Sequence, residues 1–348
     1  MPWTTIQVEQ LDNYYIKNTS ASDRILSYKE AVYEALDQSL TRDPKVFILG
    51  EGIDDPGGVF GTTKNLHVKY GNHRVFDTPI SENSMTGIAI GAAMAGLRPV
   101  YVHSRMDFLL LSLDQLVNHA SKYSYMFGGK VKIPLVIRTV SARGWGSGAQ
   151  HSQCLHGMLM NVPGIKIAVP ATPYDAKGLL VSSIIDNNPV FFVEHRWLYN
   201  VRGNVPEHLF SIPFGKGVIR RPGSDVTIVA ISYMVVEALK AAEKLQAQNI
   251  SAEVIDLRTI KPIDENIIFE SLAKTGKLVI TDTGWTTGGA AAEISALVCE
   301  KAFHLLKAPV VRVCCPDAPT PAGDILEKAF YPDFETLRNE VVKLLGQY

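Results

Sequence analysis

Short apolar runs alternate with amphipathic stretches along most of the chain. Ser27-Tyr28-Lys29-Glu30 has the form of a capping box, in which a Ser and a Glu three positions apart satisfy backbone N–H groups at a helix start. The apolar residues that follow, Ala31, Val32, Ala35, Leu36 and Leu40, recur at the spacing of one helix face. Val46-Phe47-Ile48-Leu49 then reads as a buried strand ending at Gly50-Glu51-Gly52. The same reasoning predicts strands at 100–102, 135–137, 165–169 and 190–193, with helical patterns between them. These runs show little polar alternation, as expected of a parallel sheet covered by helices on both faces.

Residues 197 to 223 interrupt the rhythm with Gly, Pro, His and Arg and read as a crossing linker. A second alternating set follows: strands at 226–231, 252–257, 278–281 and 310–313, with a helix at 235–248. The pattern predicts an α/β chain with two doubly wound domains, over 25–204 and 205–348, behind a polar N-terminal extension at 1–24.

Composition narrows the function classes. At 348 residues, with 46% hydrophobic and 20% charged residues, the chain suits two well-cored domains rather than a disordered protein. A net charge near −1, without basic clusters, argues against nucleic acid or an anionic membrane surface as partner. The first 23 residues lack the apolar core of a signal peptide, and no apolar stretch reaches bilayer length. Cys154, Cys299, Cys314 and Cys315 form no CxxC pair and no zinc-ligand spacing, and read as reduced thiols of an intracellular protein. The expected setting is the cytoplasm, or an organelle matrix if a transit peptide has been removed.

The candidate chemistry lies in four stretches. In Asp77-Thr78-Pro79-Ile80-Ser81-Glu82 a turn presents a carboxylate at the start of a Gly- and Ala-rich helix. On the residues alone, Glu82 is either an ordinary first-turn carboxylate, favoured by the helix dipole, or a functional acid. Residues 142–153 form a Gly-rich loop ending in Gln150-His151-Ser152-Gln153, where His151 is structural or catalytic. His103-Ser104-Arg105 precedes Phe108, itself either a core ring or a stacking surface. Ser183-Ile184-Ile185-Asp186-Asn187-Asn188-Pro189 reads as a helix C-terminus, where free carbonyls gather; it is either a plain turn or a cation site.

Together, TPISE at 78–82, GAAMAGLRP at 91–99, AQHSQ at 149–153, DNNP at 186–189 and LRTIKP at 257–262 closely resemble the β subunit of the E1 component of 2-oxoacid dehydrogenases. The resemblance runs from about residue 25 to the C-terminus. It implies a pyrimidine-binding transketolase-like domain followed by a transketolase C-terminal-like domain. It also implies that Glu82 bonds N1′ of the thiamine diphosphate aminopyrimidine, with Ile80, Ser104 and Phe108 beside the cofactor. His151 is then expected to assist proton transfer during acyl transfer to the lipoyl group of an E2 acyltransferase. Oxygens of Leu135, Ser183, Ile184, Asp186 and Asn188, mostly backbone, are expected to hold a structural K⁺.

The chain departs from pyruvate enzymes of the family, which carry Glu-Phe and then Met where Val102-His103-Ser104 stands here. His103 and Arg105 are therefore candidates to meet a substrate carboxylate, or partners of Asp107, and the identity of the 2-oxoacid stays open. The chain also lacks a Gly-Asp-Gly motif, the usual start of the Mg²⁺ site for the diphosphate. The resemblance accordingly implies an E1 α subunit that holds Mg²⁺ and completes an α2β2 heterotetramer. Other readings are an acetoin dehydrogenase β subunit, a transketolase-like fragment and a non-catalytic scaffold subunit.

Overall fold

The structure, a computed structural model, describes residues 14–16, 23–141 and 146–347. Most of the expected N-terminal extension and residues 142–145 of the Gly-rich loop lie outside them. The described residues form two compact units. One comprises the chain up to 141 with Asn161–Phe214; the other comprises 146–160 with the chain from Gly215 onward.

In the first unit, helix Tyr28–Arg42 opens with the capping box: the Ser27 side chain accepts from Glu30 N, and the Glu30 carboxylate accepts from Ser27 N at 2.7 Å. Ala31, Val32, Ala35, Leu36 and Leu40 are all buried, and the helix packs on helix Pro173–Ile185. The sheet of this unit runs in the order Lys166–Ala168, Val190–His195, Val136–Ser141, Arg98–His103, Val46–Gly50, Val75–Asp77, and all its neighbours are parallel. Every residue of Val136–Ser141 and Val190–His195 is buried, which is why these runs carry no polar alternation. The short edge strand Val75–Asp77 escapes periodicity, because three residues are too few to show one.

Strand order places the site. From Val46–Gly50 the chain goes to Val75–Asp77 on one side, then crosses back to Arg98–His103 on the other. The carboxyl ends of Val46–Gly50 and Arg98–His103 thus meet at a topological switch point, where open α/β sheets bind ligands. Gly50 lies at this point with φ +150°; a Cβ there would stand 2.3 Å from Val102 O, so only glycine lets the two strand ends come this close.

The stretch expected as a linker contributes a strand to each unit. Arg202–Asn204 lies between Tyr15–Ile16 and Ile25–Ser27 in a small sheet, and Val218–Arg221 pairs antiparallel with Ala252–Asp256. Gly203 earns its place by close packing: a Cβ would meet Ile16 O at 2.8 Å. Strand pairing, central for Arg202–Asn204 and at an edge for Val218–Arg221, outweighs a composition that reads locally as loop.

The sheet of the second unit has the order Val218–Arg221, Ala252–Asp256, Val226–Ala230, Leu278–Trp285, Val311–Cys315, parallel except at its first member. Helices Met234–Gln246, Glu265–Thr275, Ala290–Lys301 and Phe334–Gln347 accompany it. Pairing between Leu278–Trp285 and Val311–Cys315 shifts register between Thr281 and Trp285. No helix among the described residues is long and apolar enough to cross a membrane.

Candidate functional site

Glu82 is the first residue of helix Glu82–Met94 and is only 5% exposed. The turn before it is tied to the neighbouring strand end, with Thr78 N donating to Gly50 O at 3.0 Å and Ile53 N to Asp77 Oδ1 at 3.2 Å. Across the switch point, Ser104 Oγ donates to Glu51 O at 3.1 Å. Thr86 Oγ1 lies 2.7 Å from Glu82 O and 2.8 Å from Ser112 Oγ, which fixes the helix to the 3₁₀ segment Met106–Ser112 that carries Phe108. Among the described residues, no hydrogen bond or ion pair reaches the Glu82 carboxylate. Two large apolar side chains on these segments stay at the surface: Ile80 is 81% exposed and Phe108 36%.

The field at the switch point is acidic. Burial raises the Glu51 carboxyl above its ordinary range, and the charges of Glu82 and Asp77 add to the effect. The Tyr101 phenol is raised by burial and then by Glu51 and Glu82. Glu51 was not singled out from the sequence; its position between two glycines at a strand end was the available signal.

His103 is buried, with its ring 4.3 Å from that of Tyr101. Burial pushes its imidazole down to about 3, so at neutral pH it is uncharged and offers a carboxylate no positive charge. Its Nε2 is buried and has no hydrogen-bond partner among the described residues. Arg105 is half-buried; burial lowers its guanidinium, while Asp107 and Tyr199 act to raise it. Sequence reasoning missed the fully buried Arg196, whose guanidinium lies 4.5 Å over the Phe60 ring. It is pushed down to about 8 by burial and then by the positive charge of Arg105.

At the end of helix Pro173–Ile185, Arg98 Nη1 lies 3.0 Å from both Ile184 O and Asp186 O, and Nη2 donates to Asn187 Oδ1 at 3.1 Å. Two of the carbonyls expected around K⁺ therefore converge on a cationic group of this chain, one that the sequence reading did not name. Asn188 donates from N and Nδ2 to Asp186 Oδ1, and Lys166 bonds the other oxygen. Leu135 O accepts from Val190 N at 2.9 Å, and Ser183 Oγ donates to Leu179 O. Each carbonyl has a second lone pair, so these bonds do not exhaust the oxygens.

His151 lies in the second unit. It is half-buried, and its N donates to Gly148 O at 3.3 Å. Its loop is pinned where Gly146 N donates to Glu327 Oε2 and Tyr331 OH to Ser152 O.

Comparison with known proteins agrees with this architecture. Residues 25–202 match the transketolase pyrimidine binding domain and residues 215–337 the transketolase C-terminal domain. The chain is 42% identical to the acetoin:2,6-dichlorophenolindophenol oxidoreductase subunit beta of Bacillus subtilis (strain 168), over 93% of this chain and 98% of that protein. It is 46% identical to the protein of the same name from Cupriavidus necator, over 89% and 94%. The mitochondrial pyruvate dehydrogenase E1 component subunit beta of Dictyostelium discoideum is 43% identical, over 93% and 92%. A solved split-gene transketolase, described as an inactive β4 tetramer, shares the fold with a TM-score of 0.75 at 24% identity, covering 92% of this chain and 98% of that one. The chain therefore belongs to the transketolase-like family that includes these acetoin oxidoreductase β subunits and pyruvate dehydrogenase E1 β subunits.

Proposed function

We propose that this chain is the β subunit of a thiamine-diphosphate-dependent E1 that oxidatively decarboxylates a 2-oxoacid and passes the acyl group to the lipoyl group of an E2 acyltransferase. An α subunit supplies the Mg²⁺ and diphosphate grip in an α2β2 assembly. One observation carries the reading: a buried carboxyl, Glu82, stands at the switch point of a parallel sheet, and no group among the described residues is bonded to it. That carboxyl and the exposed Ile80 and Phe108 fit a ring that needs one proton-sharing edge and apolar cover.

Bound thiamine diphosphate supplies an electron sink for the carbon–carbon bond that breaks. Glu82 holds a proton at N1′ of the aminopyrimidine, which sets the tautomer of that ring. Phe108 offers a stacking face of modest strength, about 0.5–1.5 kcal/mol beyond area burial. Ser104, bonded to Glu51 O, holds the two strand ends in register. Arg105 provides the charge for a substrate carboxylate, and the neutral His103, its ring against Tyr101, offers that acid no charge. His151 gives and takes a proton during acyl transfer. The oxygens of Leu135, Ser183, Ile184, Asp186 and Asn188 favour a hard cation such as K⁺ beside Arg98. The cytoplasm or an organelle matrix is the setting.

A second reading, the β subunit of an acetoin-cleaving enzyme, is favoured by the two acetoin oxidoreductase relatives. Acetoin has no carboxylate for Arg105 to meet. The test is co-expression with an α partner bearing Gly-Asp-Gly, then assay of pyruvate, branched-chain 2-oxoacids and acetoin with an artificial electron acceptor. Turnover only in the reconstituted enzyme, lost by about 10²-fold or more in Glu82→Gln, is expected. Full turnover by this chain alone, or an unaffected Glu82→Gln enzyme, refutes the proposal; acetoin as the one substrate selects the second reading.

A further inference from the structure

A second cluster of reactive groups lies within the C-terminal unit and is made of residues given no role above. Cys154 Sγ is 3.1 Å from Nδ1 of His156, and Nε2 of the same ring is 2.8 Å from Asp282 Oδ2. All three residues are buried; Cys154 keeps 8% exposure, and the His156 and Asp282 side chains about none. Asp282 stands where strand Leu278–Trp285 leaves register with its neighbour, and such irregularities re-aim side chains. Thr283 Oγ1 lies 3.5 Å from the same sulfur.

The arrangement is a relay rather than a metal cage. A metal bound by all three residues would need one imidazole nitrogen facing both the sulfur and the carboxylate. Here the sulfur and the carboxylate occupy opposite nitrogens of the ring. Burial acts to lower the His156 imidazole, but the Asp282 carboxylate and then Cys154 outweigh it and hold the ring protonated well above its ordinary range. A sulfur beside an imidazole that a carboxylate orients is the arrangement that activates a thiol.

The other cysteines lack this setting. Cys314 is pushed up to about 12, by burial and then by the charge of Asp282. Cys315 donates its S–H to Thr283 O at 3.3 Å. Cys299 is exposed on helix Ala290–Lys301.

We propose that Cys154 is a nucleophilic, peroxide-reactive thiol, with His156 as its proton carrier and Asp282 as the residue that positions the ring. Hydrogen peroxide or a small hydroperoxide is the co-reactant. Sγ attacks one peroxide oxygen, so an S–O bond forms as the O–O bond breaks. The sulfur is oxidised to a sulfenic acid and the peroxide is reduced. His156 Nδ1 carries the proton given up by the sulfur and delivers it to the departing hydroxide or alkoxide, which leaves as water or an alcohol.

The first test uses the wild-type chain and needs no variant. The protein is treated with limiting hydrogen peroxide and a sulfenic-acid trap, and the trapped cysteines are located by peptide mass spectrometry. Accessibility alone predicts that the exposed Cys299 reacts first; the relay predicts that Cys154 outpaces it by roughly 10²-fold, the lower end of what a positioned proton donor or acceptor contributes. His156→Gln should abolish that lead, and Asp282→Asn should reduce it while leaving Cys299 labelling unchanged. Equal or faster trapping at Cys299 in the wild-type chain overturns the proposal. So does stoichiometric zinc that co-purifies with the chain and blocks trapping at Cys154.

Discussion

Arg138 and Glu194 form an ion pair on adjacent parallel strands, with neither side chain exposed to water. Arg138 Nη2 also reaches Glu194 Oε2 at 3.0 Å, making the contact bidentate. Glu194→Gln leaves a guanidinium buried without its counter-charge and should cost about 3–5 kcal/mol of stability. Chemical denaturation of the purified chain measures this; a loss below about 1 kcal/mol would show that the pair is not a major constraint on the sheet.

His103 makes the fold acid-sensitive. Its folded value of about 3 lies below the ordinary value near ~6.5, so the unfolded chain takes up the proton first. The contribution is fully present above ~6.5 and declines as pH falls towards about 3, at up to ~1.4 kcal/mol per pH unit. His103→Phe removes both the titration and a buried nitrogen that has no partner among the described residues. Its acid-unfolding midpoint, followed by circular dichroism, should move to lower pH, with an advantage near pH 5 of about 2 kcal/mol.

Glu51 has the opposite sign. Its folded carboxyl is raised by burial and by its acidic neighbours, so the folded state binds the proton more tightly than the unfolded chain. Its favourable contribution is present below the ordinary carboxyl value near ~4.3 and is lost as pH rises through the raised value. Glu51→Gln should therefore raise the thermal midpoint at pH 7, and the difference should vanish near pH 4. A lowered midpoint at pH 7 would mean that the carboxylate has a stabilising role outweighing the repulsion.

Arg98 closes the end of helix Pro173–Ile185 by bonding Ile184 O and Asp186 O. Arg98→Met should cost about 1.5–3 kcal/mol, the range for hydrogen bonds to a charged group. If the same carbonyls also receive K⁺, the wild-type melting temperature should be higher in KCl than in equimolar NaCl. Identical melting curves in the two salts would remove K⁺ from the site and leave the guanidinium as its cation.

The sequence by itself determined the two-part α/β organisation, because buried parallel strands and helix faces impose local periodicities that can be read without a fold. The Ser27–Glu30 cap was legible for the same reason: both partners lie within one helical turn. Glu82 and His151 stood out by motif. What only the tertiary structure decided are relations between distant residues. Cys154 and Asp282 are 128 positions apart and meet through His156 only after the strand and the loop fold together. Arg98 meets the carbonyls of residues 184 and 186 because two elements end side by side. The neutrality of His103 follows from desolvation, which no local pattern records. Periodicity encodes which face of an element turns inward; which polar groups then find each other is fixed by strand order and close packing.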